Sequence, residues 1–316
     1  MPALDRYTLC GVAALLMWST TFALAGRLAE QVGALTAGTT VNLIAGVGCV
    51  IMLCVRPAEW RRIRRLSRRY LWIGGALFVM YMAVLYPAIG LTHGRRQVVE
   101  LALVNYLWPA LTVLGAVLLL RRPATLWLWP GTLLAVVGIA LVVWPGGSWR
   151  TFAANLADNP APYGLALIAA LSWALYSNLA RKWAGAGDGG AIPLFIPATG
   201  LVLLAMRLLQ PEPITREVWT ARAIAEALGL GLANIAANLL WDIAMRRGRV
   251  LVVGVASYFT PLLSTTLSCL YLHVAAGPVL WLGCLLLVGG SLLSWWAVRE
   301  RIAEPAALPV PADSSA

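Results

Sequence analysis

The sequence predicts an all-α polytopic membrane protein whose ten transmembrane helices form two inverted five-helix repeats, and three observations carry that prediction. The first is composition: 60% of the 316 residues are hydrophobic, only 12% are charged, and the mean hydropathy is +0.79. Ordinary soluble domains do not have this make-up. The second is the recurrence of uncharged stretches, over 7–26, 31–55, 101–120, 123–149 and 159–180. A helix crossing about 30 Å of hydrocarbon needs roughly 20 mainly apolar residues, and these runs supply them. The third is self-similarity at a shift of 152 residues, which pairs Arg95 with Arg247, Tyr106 with Tyr258, Pro109 with Pro261, Trp129 with Trp281, Gly131 with Gly283 and Gly138 with Gly290. Five spans separate each residue from its mate. An odd number of spans per repeat turns the second copy upside down in the bilayer, an arrangement that suits alternating access.

In chain order the spans are expected at 7–27, 34–55, 70–92, 97–120, 126–145, 161–183, 191–209, 223–245, 250–273 and 278–298. The first apolar stretch is too long for a cleaved leader and is expected to stay as the first span. The eighth is the most polar, carrying Glu226 and Asp242. The ninth and tenth share a 49-residue run free of Asp, Glu, Lys and Arg, divided at Gly277-Pro278 because proline suits a helix start. The repeats then occupy 1–150 and 151–300, and the proline-rich segment 301–316 reads as a disordered cytoplasmic tail. Most tryptophans fall near helix ends, where indoles favour the headgroup region, but Trp18, Trp108, Trp173 and Trp241 lie inside spans.

The formal net charge of +11 comes largely from loops, with seven arginines between Arg56 and Arg69 alone. With alternating spans these loops fall on one side, the positive-inside pattern, and both termini are expected in the cytoplasm. The excess therefore points to a lipid bilayer and not to nucleic acid. The five cysteines are scattered without ligand spacing, no HExxH, CxxC or GxSxG motif occurs, and the two histidines lie far apart. No enzyme active site, metal or cofactor is expected. Rings of charge or carbonyl filters of the kind channels use are not visible either. Nothing in the sequence fixes the oligomeric state.

Polar side chains in mid-span should face a cavity or a neighbouring helix, because lipid cannot satisfy them. The third span offers Tyr81 and Tyr86, and its mate the eighth offers Asn234, Asn238 and Trp241, spaced by four and three so that all three share one face. Asn105, Trp108 and Thr112 of the fourth span align with Ser257, Thr260 and Ser264 of the ninth, each row beside a proline that frees a carbonyl about a turn earlier. The Ser and Thr positions serve equally well as helix-packing residues. Trp18 and Trp173 pair at a shift of 155, and Tyr176 follows in the sixth span. Together with Tyr106 and Tyr258, these residues suit a substrate with a flat or apolar body and few polar atoms. No Lys or Arg is expected in the central third of any span, which argues against phosphate recognition. Glu100, Asp242 and His93 are expected close enough to span ends to be solvated, with structural or topogenic roles, which favours a uniporter over proton coupling.

The two inverted halves, the Trp18 and Trp173 pair, and the Tyr106-x-x-Pro109 and Tyr258-x-x-Pro261 pair resemble the drug/metabolite transporter superfamily over residues 5 to 300. Within it, residues 14–22 (ALLMWSTTF) and 104–111 (VNYLWPAL) are similar to the bacterial aromatic amino acid exporters. That resemblance implies export of aromatic and other neutral amino acids from cytoplasm to periplasm across a bacterial inner membrane, through a cavity between the halves. It also supports Trp18, Asn105, Tyr106, Trp108 and Trp173 as cavity residues. The chain departs from expectation in having no central cation or carboxylate to pair with a zwitterion. The alternative is a broad small-metabolite or drug efflux transporter, proton-coupled or not.

Overall fold

The computed structural model describes residues 5–93, 97, 100–101, 104–121, 124–143, 148–184, 190–210, 212, 218–263 and 278–297. Ser264, Trp144, Arg95, Arg96 and the tail 301–316 lie outside the described residues. The described residues are mostly helical, with no strand among them. The helices at the expected span positions are α1 (Arg6–Val32), α2 (Ala34–Val55), α4 (Tyr70–Gly90), α5 (Trp108–Leu119), α6 (Leu128–Val143), α8 (Ala161–Ala184), α9 (Ile192–Leu209), α10 (Ala221–Arg247), α11 (Val250–Ala256) and α12 (Pro278–Ala297). Two further helices, α3 (Pro57–Arg64) and α7 (Trp149–Asp158), are short and largely exposed and lie where loops were expected. Five of the described helices, α2, α4, α8, α9 and α10, are long and apolar enough to cross a membrane. Exposed side chains such as Val47, Ile51, Leu118, Leu133, Leu201 and Leu285 give the molecule its lipid-facing surface.

The fourth and ninth spans are each interrupted at matching places. Residues 104–105 are helical, Tyr106 and Leu107 form a turn, and α5 restarts at Trp108; likewise Ser257 and Tyr258 form a turn before residues 259–263 resume the helix. Pro109 and Pro261 explain both breaks, since neither can donate the bond that would continue the helix. Tight-turn bonds take over: Leu107 N–H donates to Val104 O (3.1 Å), Tyr258 N–H to Val255 O (3.1 Å) and Thr260 N–H to Ser257 O (3.1 Å).

Packing between the halves follows a two-fold exchange. α1 packs on α10 as α8 packs on α4, while α2 pairs with α9, α5 with α11 and α6 with α12. Side-chain contacts fix the directions. Trp108 of α5 meets Trp173 of α8 and, further along both, Thr112 O meets Asn178; Trp173 meets Trp241 of α10 and, further along both, Tyr176 meets Asp242. α5, α8 and α10 are therefore parallel. α4 runs against them, with Tyr81 beside Trp173 and Tyr70 beside Asp242. The end where α1 begins is called proximal and the end at Gly33 distal.

Two devices brace the frame. α6 and α12 approach backbone to backbone: a Cβ at Gly138 would collide with the backbone of Leu287 and Gly283, and one at Gly290 with that of Ala135 and Gly131. At the distal end the Glu212 carboxylate accepts from Leu35 N–H (3.0 Å), Thr36 N–H (2.8 Å) and Thr36 Oγ1 (2.5 Å), capping α2 just after Gly33, whose φ is 90°. Arg207 locks that cap by donating to Thr36 Oγ1 (2.7 Å) and Glu212 O (2.7 Å).

Candidate substrate pathway

Four tryptophans meet on the line between the halves. Trp18 of α1 lies 5.4 Å from Trp173 and 5.3 Å from Trp241, measured between ring centroids. Trp108 lies 5.6 Å from Trp241 and 6.4 Å from Trp173, and Trp173 lies 6.0 Å from Trp241. Tyr81 (5.0 Å), Phe78 (6.0 Å) and Tyr176 (5.7 Å) complete the ring around Trp173. The geometries are tilted or edge-on, which favours contact between positive ring edges and negative ring faces. Trp241 donates its indole N–H to Ser177 Oγ (3.1 Å). Trp108, Trp173 and Trp241 are buried, whereas Trp18 and Tyr81 keep partial exposure.

Distal to this aromatic layer lies a layer of amides. Asn238 donates to Asn234 Oδ1 (2.6 Å) and to Asn234 O (2.8 Å), Asn234 donates to Asn42 Oδ1 (3.2 Å), and Asn42 donates to Gly38 O (2.8 Å). Asn105 lies beside the Tyr81 hydroxyl. Tyr86 stands further out, its ring covering Gly38 so closely that no Cβ would fit there.

Proximal to the aromatics, Asp242 and Arg246 form an ion pair (2.9 Å) that is 2% exposed at either residue. Tyr70 and Tyr176 both donate to Asp242 Oδ1, at 3.1 and 3.2 Å, and the Ala191 N–H donates to the Tyr70 hydroxyl at 3.3 Å. A Cβ at Gly190 would strike the Asp242 carboxylate, so the start of α9 closes directly over it. The expectation that Asp242 is solvated near a helix end is therefore corrected: four elements bury it and Arg246 neutralises it. Glu100 is corrected in the same way. It is fully buried, accepting from Tyr163 (2.5 Å) and from Asn155 of α7 (3.0 Å).

Of the residues singled out in the sequence, Trp18, Tyr81, Asn105, Trp108, Trp173, Tyr176, Asn238 and Trp241 come together in these layers. Tyr106 is buried at the break before α5. Tyr86 faces α2, and Tyr258 is fully buried toward α6, its hydroxyl donating to Thr132 Oγ1 (3.4 Å). Sequence reasoning missed Asn42, Tyr70 and the depth of Asp242. Asn42 sits among apolar residues in mid-span, a signal that was present.

A frame of two inverted five-helix halves around an aromatic and amide-lined centre defines a secondary transporter, and the chain belongs to the EamA-like transporter family, whose model matches twice, over residues 6–144 and 161–296. It is similar over nearly its whole length to the aromatic amino acid exporter YddG of Escherichia coli (strain K12), with 33% identity covering 94% of this chain and 99% of that protein. The aromatic amino acid exporter YddG of Ancylobacter novellus is 30% identical, covering 93% and 98%. A solved crystal structure matches the fold with a TM-score of 0.78 at 24% identity, over 94% of this chain and all of the other.

Proposed function

We propose that this protein exports aromatic and other neutral amino acids across the bacterial inner membrane by alternating access between the halves 1–150 and 151–300. The observation that carries the reading is the aromatic layer between the halves, where Trp18, Trp108, Trp173 and Trp241 gather ring faces and edges of the kind that suit a flat substrate. The printed function of the relatives supports it. In this reading Trp18, Tyr81, Tyr86, Asn105, Tyr106, Trp108, Trp173, Tyr176, Asn238, Trp241 and Tyr258 form or back the pathway. The proximal end, with the arginines of α3, faces the cytoplasm. The described conformation is shut there by the Asp242 layer, and transport opens that layer while the distal side closes.

Asp242 is neutralised by Arg246 and Glu100 is held by Tyr163 and Asn155, which supports a uniporter in which substrate runs down its own gradient. The test is saturable uptake of labelled tryptophan, phenylalanine and threonine into liposomes holding the purified protein, with and without a pH gradient and against empty liposomes. Uptake without the gradient is expected, with Trp108→Ala and Trp173→Ala slowing it in folded protein. Strong acceleration by an imposed pH gradient would instead favour the proton-coupled alternative. Absence of uptake would remove the amino acid substrate.

A further inference from the structure

The amide layer has a polarity. The amides donate in series, Asn238 to Asn234, Asn234 to Asn42 of α2, and Asn42 to the Gly38 carbonyl. Both donor bonds of Asn238 go to oxygen acceptors, the Asn234 side chain and carbonyl, which fixes which end of that amide is nitrogen. What remains at the open end is an acceptor: Asn238 Oδ1 is buried with no hydrogen-bond partner, in a residue only 2% exposed. Asn105 repeats the pattern from the other half. Its Oδ1 is also buried and unpartnered, and the residue is 9% exposed.

The two acceptors lie on the same side of the aromatic layer. Asn105 stands one turn before Trp108 and Asn238 one turn before Trp241, the two indoles touch at 5.6 Å, and α5 and α10 run parallel. Asn178, also with an unpartnered Oδ1, lies beyond Trp173 on the proximal side and belongs to a different contact, against α5. A buried carbonyl left unpaired is costly, so two at one level point to a ligand that brings donors.

We propose that Asn105 Oδ1 and Asn238 Oδ1 form the subsite for the substrate's ammonium group, with the side chain of the substrate against the tryptophans. The proposal rests on the amino acid reading and deepens it. An ammonium offers three N–H donors and a charge, which strengthens each bond to a neutral amide oxygen. Three asparagines in series orient their dipoles so that the acceptor end faces the charge. The subsite holds an amine without needing a carboxylate, and it makes no demand on the substrate's own carboxyl.

The test is competition against labelled tryptophan uptake in liposomes carrying the wild-type protein. Tryptamine, which keeps the ammonium and lacks the carboxyl, and phenylalanine, which lacks a ring N–H, are expected to compete. Indole-3-propionate, which lacks the ammonium, is expected to compete about tenfold less well or worse. Asn105→Leu and Asn238→Leu should each raise the half-saturating concentration of tryptophan and of phenylalanine by about tenfold and shrink the preference for tryptamine over indole-3-propionate. Equal competition by indole-3-propionate overturns the assignment without any variant. A loss for tryptophan alone, with phenylalanine unaffected, means the acceptors serve the indole N–H and also overturns it. If the wild type takes up no tryptophan, the amino acid reading fails by itself. The subsite is then decided by equilibrium binding of labelled tryptamine, whose weakening in the Leu variants supports it and whose absence in the wild type refutes it.

Discussion

Trp173 touches six aromatic partners, Trp18, Phe78, Tyr81, Trp108, Tyr176 and Trp241, more than any other ring described above. Trp173→Phe is expected to keep the helix packed but lower tryptophan uptake, whereas Trp72→Ala, at a ring exposed to lipid, should leave uptake close to wild type. Liposome transport normalised to folded protein checks both. At the α1 N-terminus, Asp5 accepts from Tyr7 N–H, Thr8 N–H and Thr8 Oγ1. Partial burial pushes its carboxyl up, but those three hydrogen bonds outweigh it and hold the net value below the ordinary one. A lowered carboxylate stabilises the fold above its unfolded pKa and loses that contribution as pH falls through the folded value. Asp5→Ala should therefore cost about 1 kcal/mol near neutral pH, and the gap from wild type in detergent-solubilised thermal unfolding should narrow below the usual carboxylate range. The mid-span tryptophans were legible in the sequence because lipid gives an indole no reason to sit there. Asp242 was not, since five residues from a helix end reads as headgroup depth, and only the three-dimensional approach of Tyr70, Tyr176 and Gly190 buries it.

At the scale of elements, hydrophobic runs located the spans and the aligned prolines marked where two of them break. The surface helices α3 and α7 escaped because both are too short to cross a membrane, and α7 owes part of its placement to Asn155 holding the buried Glu100. The Asp242 and Arg246 pair ties α10 to α4, α8 and the start of α9. Arg246→Met alone should destabilise the protein by about 3–5 kcal/mol by stranding a buried carboxylate, and Asp242→Leu added to it should recover much of the loss. Thermal unfolding of the two variants side by side measures this. Between α6 and α12, Gly138→Leu should separate two backbones that now touch and lower the unfolding temperature with little effect on substrate affinity in the surviving protein.

For the molecule as a whole, exchange of the halves maps α1 on α10 to α8 on α4, and the same exchange relates the two broken helices. This symmetry was readable from the shift of 152 residues, but the buried Asp242 and Arg246 pair was not, because the shift sets Asp242 against Gly90, which has no charge to match it. In a chain with its other cysteines changed to serine, Cys54 should react with an impermeant thiol reagent only after cells are permeabilised, and a cysteine at Ser148 should react in intact cells. The reverse result would invert the orientation. The proximal layer also differs in kind from the aromatic one. A seal made only of rings would gain nothing from meeting water, so parting it would be uphill at every step. The carboxylate, guanidinium and two phenols regain hydration as soon as they separate. Wetting thus offsets part of the cost of parting the proximal layer, and water itself helps to swing that door.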